Sequence, residues 1–201
     1  TIRLVVNNPT DRPIMVRLRK VPKFVSISKT EFTLEPNEPE ELYLTSLVSP
    51  KDKPALRYGV LHLEACDAEG KVKESADVKV SMPIIPDELI SGTGKSPKMD
   101  LVTYYDFGER PASETIKGRI TLENRGEAPL EIYSVVSGNK AIKIKAKSKT
   151  IAPGAKSELV YSINMREVAR QGGKLSQNVD LLVNDPHGPL RKVRFEASIK
   201  K

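Results

Sequence analysis

The chain has 201 residues and a formal charge of +7, with 38% hydrophobic and 29% charged residues. That balance excludes compositional disorder, and the length fits one large domain or two of about 100 residues. A single cysteine excludes an internal disulfide framework, aromatics at 5% leave the core to Val, Ile and Leu, and no apolar run approaches the ~20 residues of a membrane-spanning helix.

Ile2 to Val6 reads as a strand from the first residues, so the chain is expected to begin inside a longer protein. The turn Asn8-Pro9-Thr10-Asp11-Arg12-Pro13 follows. Leu42 and Leu44, then Leu61 and Leu63, alternate with polar neighbours, and turn signals recur at Pro22, Pro36-Asn37 and Asp67 to Gly70. The polar, Gly/Ser-rich stretch inside 87–98 is a linker, with a mobile hinge expected at Ser91 to Ser96. Beyond it the pattern returns. Asn124-Arg125-Gly126-Glu127-Ala128-Pro129 matches the first turn at an offset of 116, and Ile151-Ala152-Pro153-Gly154 matches Leu34-Glu35-Pro36-Asn37 at 117. Phe195 to Ile199 matches Val78 to Met82 at the same offset. Asn37 and Gly154 share the tolerance for left-handed backbone that such a turn needs. Only Met165 to Gln171 leans towards helix, by about one turn. A period this long means two homologous domains, 1–86 and 99–201. Short, evenly spaced strands with Pro and Gly turns make each an immunoglobulin-like β-sandwich, so the fold class is all-β. Aligned on the offset, the first domain should lack the strand that opens the second at Leu101 to Phe107. That leaves a sheet edge able to accept an added strand.

The second copy resembles a bacterial family of immunoglobulin-like domains of unassigned function, related to the Hydin-like (ASH) domains of ciliary and centrosomal proteins. The residues that carry the likeness are Tyr105-Asp106-Phe107-Gly108, Leu122-Glu123-Asn124 with Gly126 and Pro129, Ile151-x-Pro153-Gly154, and Val183-Asn184-Asp185-Pro186. Many members carry Cys-x-Cys after the second strand; here the region reads Ser137-Gly138-Asn139, so no metal or redox role transfers. The first copy resembles the same fold and, through Asn8 to Pro13, the major-sperm-protein domains. The resemblance implies several such domains behind an export signal, hence a periplasmic or extracellular envelope location and further domains in the parent chain.

The candidate chemistry is thin. Gly92-Thr93-Gly94-Lys95-Ser96 echoes the end of a phosphate-binding loop. The required glycine five residues earlier is Leu89, and Pro97 stops the helix that would hold phosphate. His62, Glu64 and Cys66 are types that bind zinc. An extended strand holds the first and last about 13 Å apart, so they read as a solvated face. Asp67 beside Cys66 would raise the thiol pKa, the wrong direction for a nucleophile. Asp185 and His187 share a turn without a matching serine. No catalytic, cofactor or metal site is expected.

Charge is uneven: residues 1–86 hold 13 basic and 12 acidic residues, and 98–201 hold 19 and 12. Lys143, Lys145, Lys147 and Lys149 alternate on one strand, placing four ammonium groups on one face at about 7 Å intervals. Such a row would bind an acidic protein, glycan or phosphate-bearing lipid, or would serve only to block edge pairing. Nucleic acid is not expected, because no aromatic interleaves the lysines. The sequence therefore reads as a non-catalytic tandem module for adhesion, scaffolding or protein interaction. The alternative is a peptide-docking adaptor in which Arg17, Arg19 and Lys20 meet an acidic motif.

Overall fold

The computed structural model describes residues 1–49, 52–85 and 94–200. The chain divides into two compact units, Thr1–Asp52 with Arg57–Met82, and Lys53–Leu56 with Pro83–Lys201.

Unit one is built from β1 (Ile2–Val6), β2 (Ile14–Arg19), β3 (Val25–Ile27), β4 (Glu31–Leu34), β5 (Glu40–Ser46), β6 (Ala55–Cys66) and β7 (Val72–Ile84). They form two sheets, ordered β1-β5-β3 and β4-β2-β6-β7. Alternate residues turn inward, as a period of two demands, and Val16, Leu18, Leu34, Leu42, Leu44 and Leu61 meet in the core.

Unit two contains β8 (Met99–Asp100), β9 (Tyr104–Arg110), β10 (Thr115–Asn124), β11 (Leu130–Ser137), β12 (Ile142–Ala146), β13 (Thr150–Ile151), β14 (Lys156–Asn164), α1 (Met165–Arg170), β15 (Lys174–Val183) and β16 (Leu190–Ile199). Its sheets are ordered β12-β14-β10-β8 and β13-β11-β15-β16-β9. Every pairing in it is antiparallel except β9 with β16. The short helix starts at Asn164, whose side chain accepts from the Arg166 and Glu167 amides. It ends in Gly172 and Gly173, both at positive φ. Both units are thus immunoglobulin-like β-sandwiches.

The repeated asparagines organise both units. Asn124 is fully buried; its Nδ2 donates to the carbonyls of Ala128 and Ile151 at 2.8 and 2.9 Å, and its Oδ1 accepts from Gly126 N at 3.0 Å. Asn8 repeats this with Arg12 O, Leu34 O and Thr10 N at 2.7, 3.0 and 3.0 Å. The Pro36-Asn37 and Pro153-Gly154 turns close onto the same asparagines. Asn37 N donates to Asn8 O at 2.9 Å and Gly154 N to Asn124 O at 2.8 Å. Asn37 and Gly154 take φ of 59° and 72°. Two sequence-distant motifs are therefore one hydrogen-bonded knot, which explains why they recur together.

Two expectations need correction. Of the expected hinge, Ser91 to Thr93 lie outside the described residues, but its far end is tied to unit two. Ser96 O accepts from Glu127 N at 2.9 Å, Lys98 O accepts from Arg125 N at 2.8 Å, and Pro97 is buried. Gly126 permits this approach, since a Cβ there would lie 2.3 Å from Ser96 O. Nor is Cys66 on a solvated face. It is 2% exposed at the end of β6, opposite Met15, because the strict alternation assumed for Leu61 to Cys66 breaks down there.

Candidate functional site

Among the described residues, a cluster of cations with few ion-pair partners lies on the outer face of the β12-β14-β10 sheet. β10 alternates Ile116, Ile120 and Leu122 inward with Lys117, Arg119 and Thr121 outward. β12 turns Ile142 inward and leaves Lys143 and Lys145 exposed. β14 runs between them. The register sets Ser162 between Lys117 and Lys143, and Val160 between Arg119 and Lys145. Two cationic rows thus flank a floor of small neutral side chains, about 10 Å apart across two strand spacings and about 7 Å apart along each strand. The result is an open trough of ≈ 600 Å³ lined by Lys117, Arg119, Lys143, Lys145, Val160 and Ser162.

Acidic residues stop short of this end of the sheet. Glu158 pairs with Lys147 at 2.6 Å and with Arg119 at 3.5 Å. The Lys147 ammonium, helped by Arg119, holds the Glu158 carboxyl below the usual carboxylate range. At the opposite end, Arg125 and Lys156 pair with Asp100 and Glu123. Lys117, Lys143 and Lys145 have no ion-pair partner among the described residues.

The expected row of four lysines is therefore divided. Lys143 and Lys145 lie on β12 and line the trough. The strand ends at Ala146, so Lys147 and Lys149 fall in the following turn. Lys147 is neutralised by Glu158, and Lys149 offers its carbonyl to Ile132 N. The residues that complete the site, Lys117 and Arg119, were missed. Their alternation within β10 was visible, but nothing in the sequence says that β10 and β12 sit on either side of β14.

The other candidates resolve into structural roles. Arg17 pairs with Glu31 at 3.5 Å and donates to Gly70 O, and Arg19 pairs with Glu64, so two of the three cations of the adaptor reading have partners within their own sheet. Lys20 is exposed, at φ 54°. His62 Nδ1 lies 2.7 Å from Asp77 Oδ1. No group of three or more His, Cys, Asp or Glu with metal-binding geometry occurs among the described residues. Asp185, fully buried, accepts from the Met99 and His187 amides and pairs with Arg191 at 3.2 Å, which latches β8 to the 184–188 turn. No helix among the described residues is long and apolar enough to cross a membrane.

Comparison with known proteins completes the picture. Residues 1–85 match a family model described as a C-terminal domain, and residues 97–198 match that of the HYDIN/CFA65/VesB-like Ig-like domain. No curated protein matches the chain. Among solved structures, a Porphyromonas gingivalis W83 protein of unknown function is 30% identical over 98% of this chain and 89% of its own, with a TM-score of 0.75. The ASH/PapD-like domain 7 of human CEP192 is 12% identical, covering 53% of this chain and 87% of that one at a TM-score of 0.40. The Escherichia coli chaperone DraB is 15% identical, covering 98% and 89% at 0.37. With over half its length matched, the chain belongs to the HYDIN/CFA65/VesB-like Ig-like domain family.

Proposed function

We propose that the chain is a non-catalytic tandem Ig-like module of a larger bacterial cell-envelope protein, and that it acts in attachment by holding anionic polymer in the trough of unit two. The observation that carries this reading is the arrangement of Lys117, Arg119, Lys143 and Lys145 around a neutral floor, three of them without an ion-pair partner among the described residues. Four ammonium or guanidinium groups at these spacings suit carboxylates, sulfates or phosphates repeated along an extended chain. Tyr161, the aromatic in the lining, is buried with its ring against Phe107 and Phe195, so it offers no platform for bases. Envelope placement rests on the family resemblance and on the bacterial relative, and the non-catalytic reading is supported by there being no assembled nucleophile and base among the described residues.

The test is binding of the 201-residue chain to a sulfated glycan, to polyphosphate and to vesicles containing anionic lipid, each across a salt series. Binding should weaken steeply with salt, and Lys143→Glu with Lys145→Glu should reduce it about tenfold or more, roughly 1.4 kcal/mol. Lys149→Glu should change it little. The preferred probe identifies the source of the anion. Binding that survives the double reversal would refute the assignment.

A further inference from the structure

β12 is the outermost strand of its sheet, and its register on β14 decides which of its backbone groups are used. Asn164 N donates to Ala141 O and Lys147 N to Glu158 O, both at 2.9 Å. With Lys143 opposite Ser162 and Lys145 opposite Val160, the hydrogen-bonded pairs of the ladder fall at 141, 143, 145 and 147. The N–H and C=O groups of Ile142, Ile144 and Ala146 therefore face away from β14. Ile142 N donates to Asn139 O at 3.1 Å. The Ile144 N–H and C=O, the Ala146 N–H and the Ile142 C=O have no hydrogen-bond partner among the described residues.

The side chains give this edge two unlike faces. On the inner face Ile142 is buried, and Ile144 and Ala146 are half-buried at the margin of the core. On the outer face Lys143 and Lys145 are exposed, without an ion-pair partner among the described residues. A strand added antiparallel through Ile144 would meet both faces. It would continue the ladder on the free Ile144 and Ala146 groups and cover the remaining apolar surface. Lys143 and Lys145 would then stand at non-hydrogen-bonded pairs, where facing Cα atoms approach to about 4.5 Å and side chains lie closest.

Charge decides what can be added. A second copy pairing through its own β12, Ile144 on Ile144, sets Lys143 directly opposite the mate's Lys145 at both ends, and like charges so placed repel. The same lysines favour a strand that carries a carboxylate opposite each of them. The unit's own flanking segments lead elsewhere. β8, beside which unit two is entered, is the far edge of the same sheet, three strand spacings or about 14 Å from β12. β9, beside which Lys200 ends, is likewise the edge of the second sheet remote from β13.

We propose that the β12 edge of unit two is a docking site for an extended acidic segment of a separate polypeptide, which adds to the sheet as an antiparallel strand. Its residues alternate apolar and acidic. The apolar ones lie over Ile142, Ile144 and Ala146, and two carboxylates face Lys143 and Lys145. Main-chain hydrogen bonds to Ile144 and Ala146 hold the segment, and the lysine pair selects its charge and register. This site goes beyond the polymer reading of the trough and does not rest on it. Lys143 and Lys145 serve both, but only the added strand uses the backbone of β12, and only the polymer uses Lys117 and Arg119.

The probe is the capped peptide Ser-Val-Glu-Val-Glu-Val-Ser, added to the 201-residue chain. Calorimetry should give one site, and exchange of the Ile144 and Ala146 amides should slow about tenfold or more at saturation. N-methylation of the central valine should weaken binding at least tenfold. So should Ala146→Pro, which removes an N–H that faces away from the ladder and leaves polyanion binding in place. The chain with Lys143→Glu and Lys145→Glu should lose this peptide and bind its counterpart with lysine at both glutamate positions. Lys117→Glu, about 10 Å away across the trough, should weaken polyanion binding and leave the peptide unaffected. Four outcomes overturn the proposal: no binding at millimolar peptide, equal binding by the N-methylated peptide, peptide binding that follows Lys117 as a polyanion would, or Ile144 and Ala146 amides already protected in the free chain and unmoved by peptide. Loss of polyanion binding alone would refute the trough reading and leave strand addition standing.

Discussion

The two units share a strand plan, a buried asparagine knot and a period of 117 residues, yet among the described residues only unit two has its core closed by a strand on the β10/β16 side. The segment 97–110 makes the difference. Ser96 and Lys98 anchor it to the 125–128 turn, Asp185 latches it at Met99, and Tyr105 and Phe107 close the sandwich with Phe195. The described residues of unit one repeat the strands beneath without an equivalent cover, and the space beside Asn8 is a groove of ≈ 250 Å³ lined by Val6, Ile14, Leu34, Leu63 and Ala65. Burial of a residue such as Leu4 or Ile120 is thus set less by its own strand than by what crosses over it.

The most direct way to break this comparison is to uncover unit two. Phe107→Ala should cost about 3 kcal/mol through lost burial and the cavity left against Phe195 and Tyr161. Calorimetry of the native chain should show unit one melting first, and the variant should bring the two transitions together. If unit two already melts first in the native chain, the closed core is not the more stable one.

The asparagine knots sharpen it further. Asn124→Ala and Asn8→Ala each strand buried backbone groups, at roughly 2–3 kcal/mol. Asn124→Ala should cost about 1 kcal/mol more, because Lys98 N also loses its acceptor, whereas Asn8 loses only an exposed Thr10 hydroxyl in that place. Urea denaturation of the two variants measures the gap.

Alkaline pH should separate the units as well. Burial, with a smaller contribution from the Glu131 carboxylate, pushes the Tyr133 phenol up to about 12. Burial also raises Tyr105 and Tyr161. A folded value above the unfolded one favours the neutral phenol. The stabilisation is complete below the ordinary value of 10.0 and is lost as pH rises through the folded value. Unit two should therefore lose stability between pH 10 and about 12, and Tyr133→Phe should flatten that loss in a pH series of melting curves. In unit one the Tyr43 phenol is raised by its hydrogen bond to Glu41, but it is exposed and screened by solvent.

The smallest effect lies at the trough margin. Glu158, held below its ordinary value of 4.5 by Lys147, contributes stability that is full above that value and is lost as pH falls through the lower folded one. Glu158→Gln should remove this acid dependence from the unit-two melt. It should also strengthen polyanion binding up to a few-fold, because Lys147 and Arg119 lose their counter-charge.

The sequence by itself determined the strand class, the duplication and the turns. Those rest on local rules: alternation of Ile116 to Leu122, the Asn37 and Gly154 backbone, and the side-chain bonding of Asn8 and Asn124 within their own turns. The lysine row was half legible for the same reason. Period two placed Lys143 and Lys145 on one face, but that Lys147 falls opposite Glu158 and is neutralised there depended on the β12–β14 register. Only the tertiary structure decided that β14 lies between β10 and β12, which brings Lys117 and Arg119 to the trough from some 25 residues upstream. Likewise the local sequence promised a free linker, and only the packing of Gly126 against Ser96 made its end part of unit two. Pairing across a sheet is a non-local choice, set by which apolar faces share a core, and no single strand carries that information.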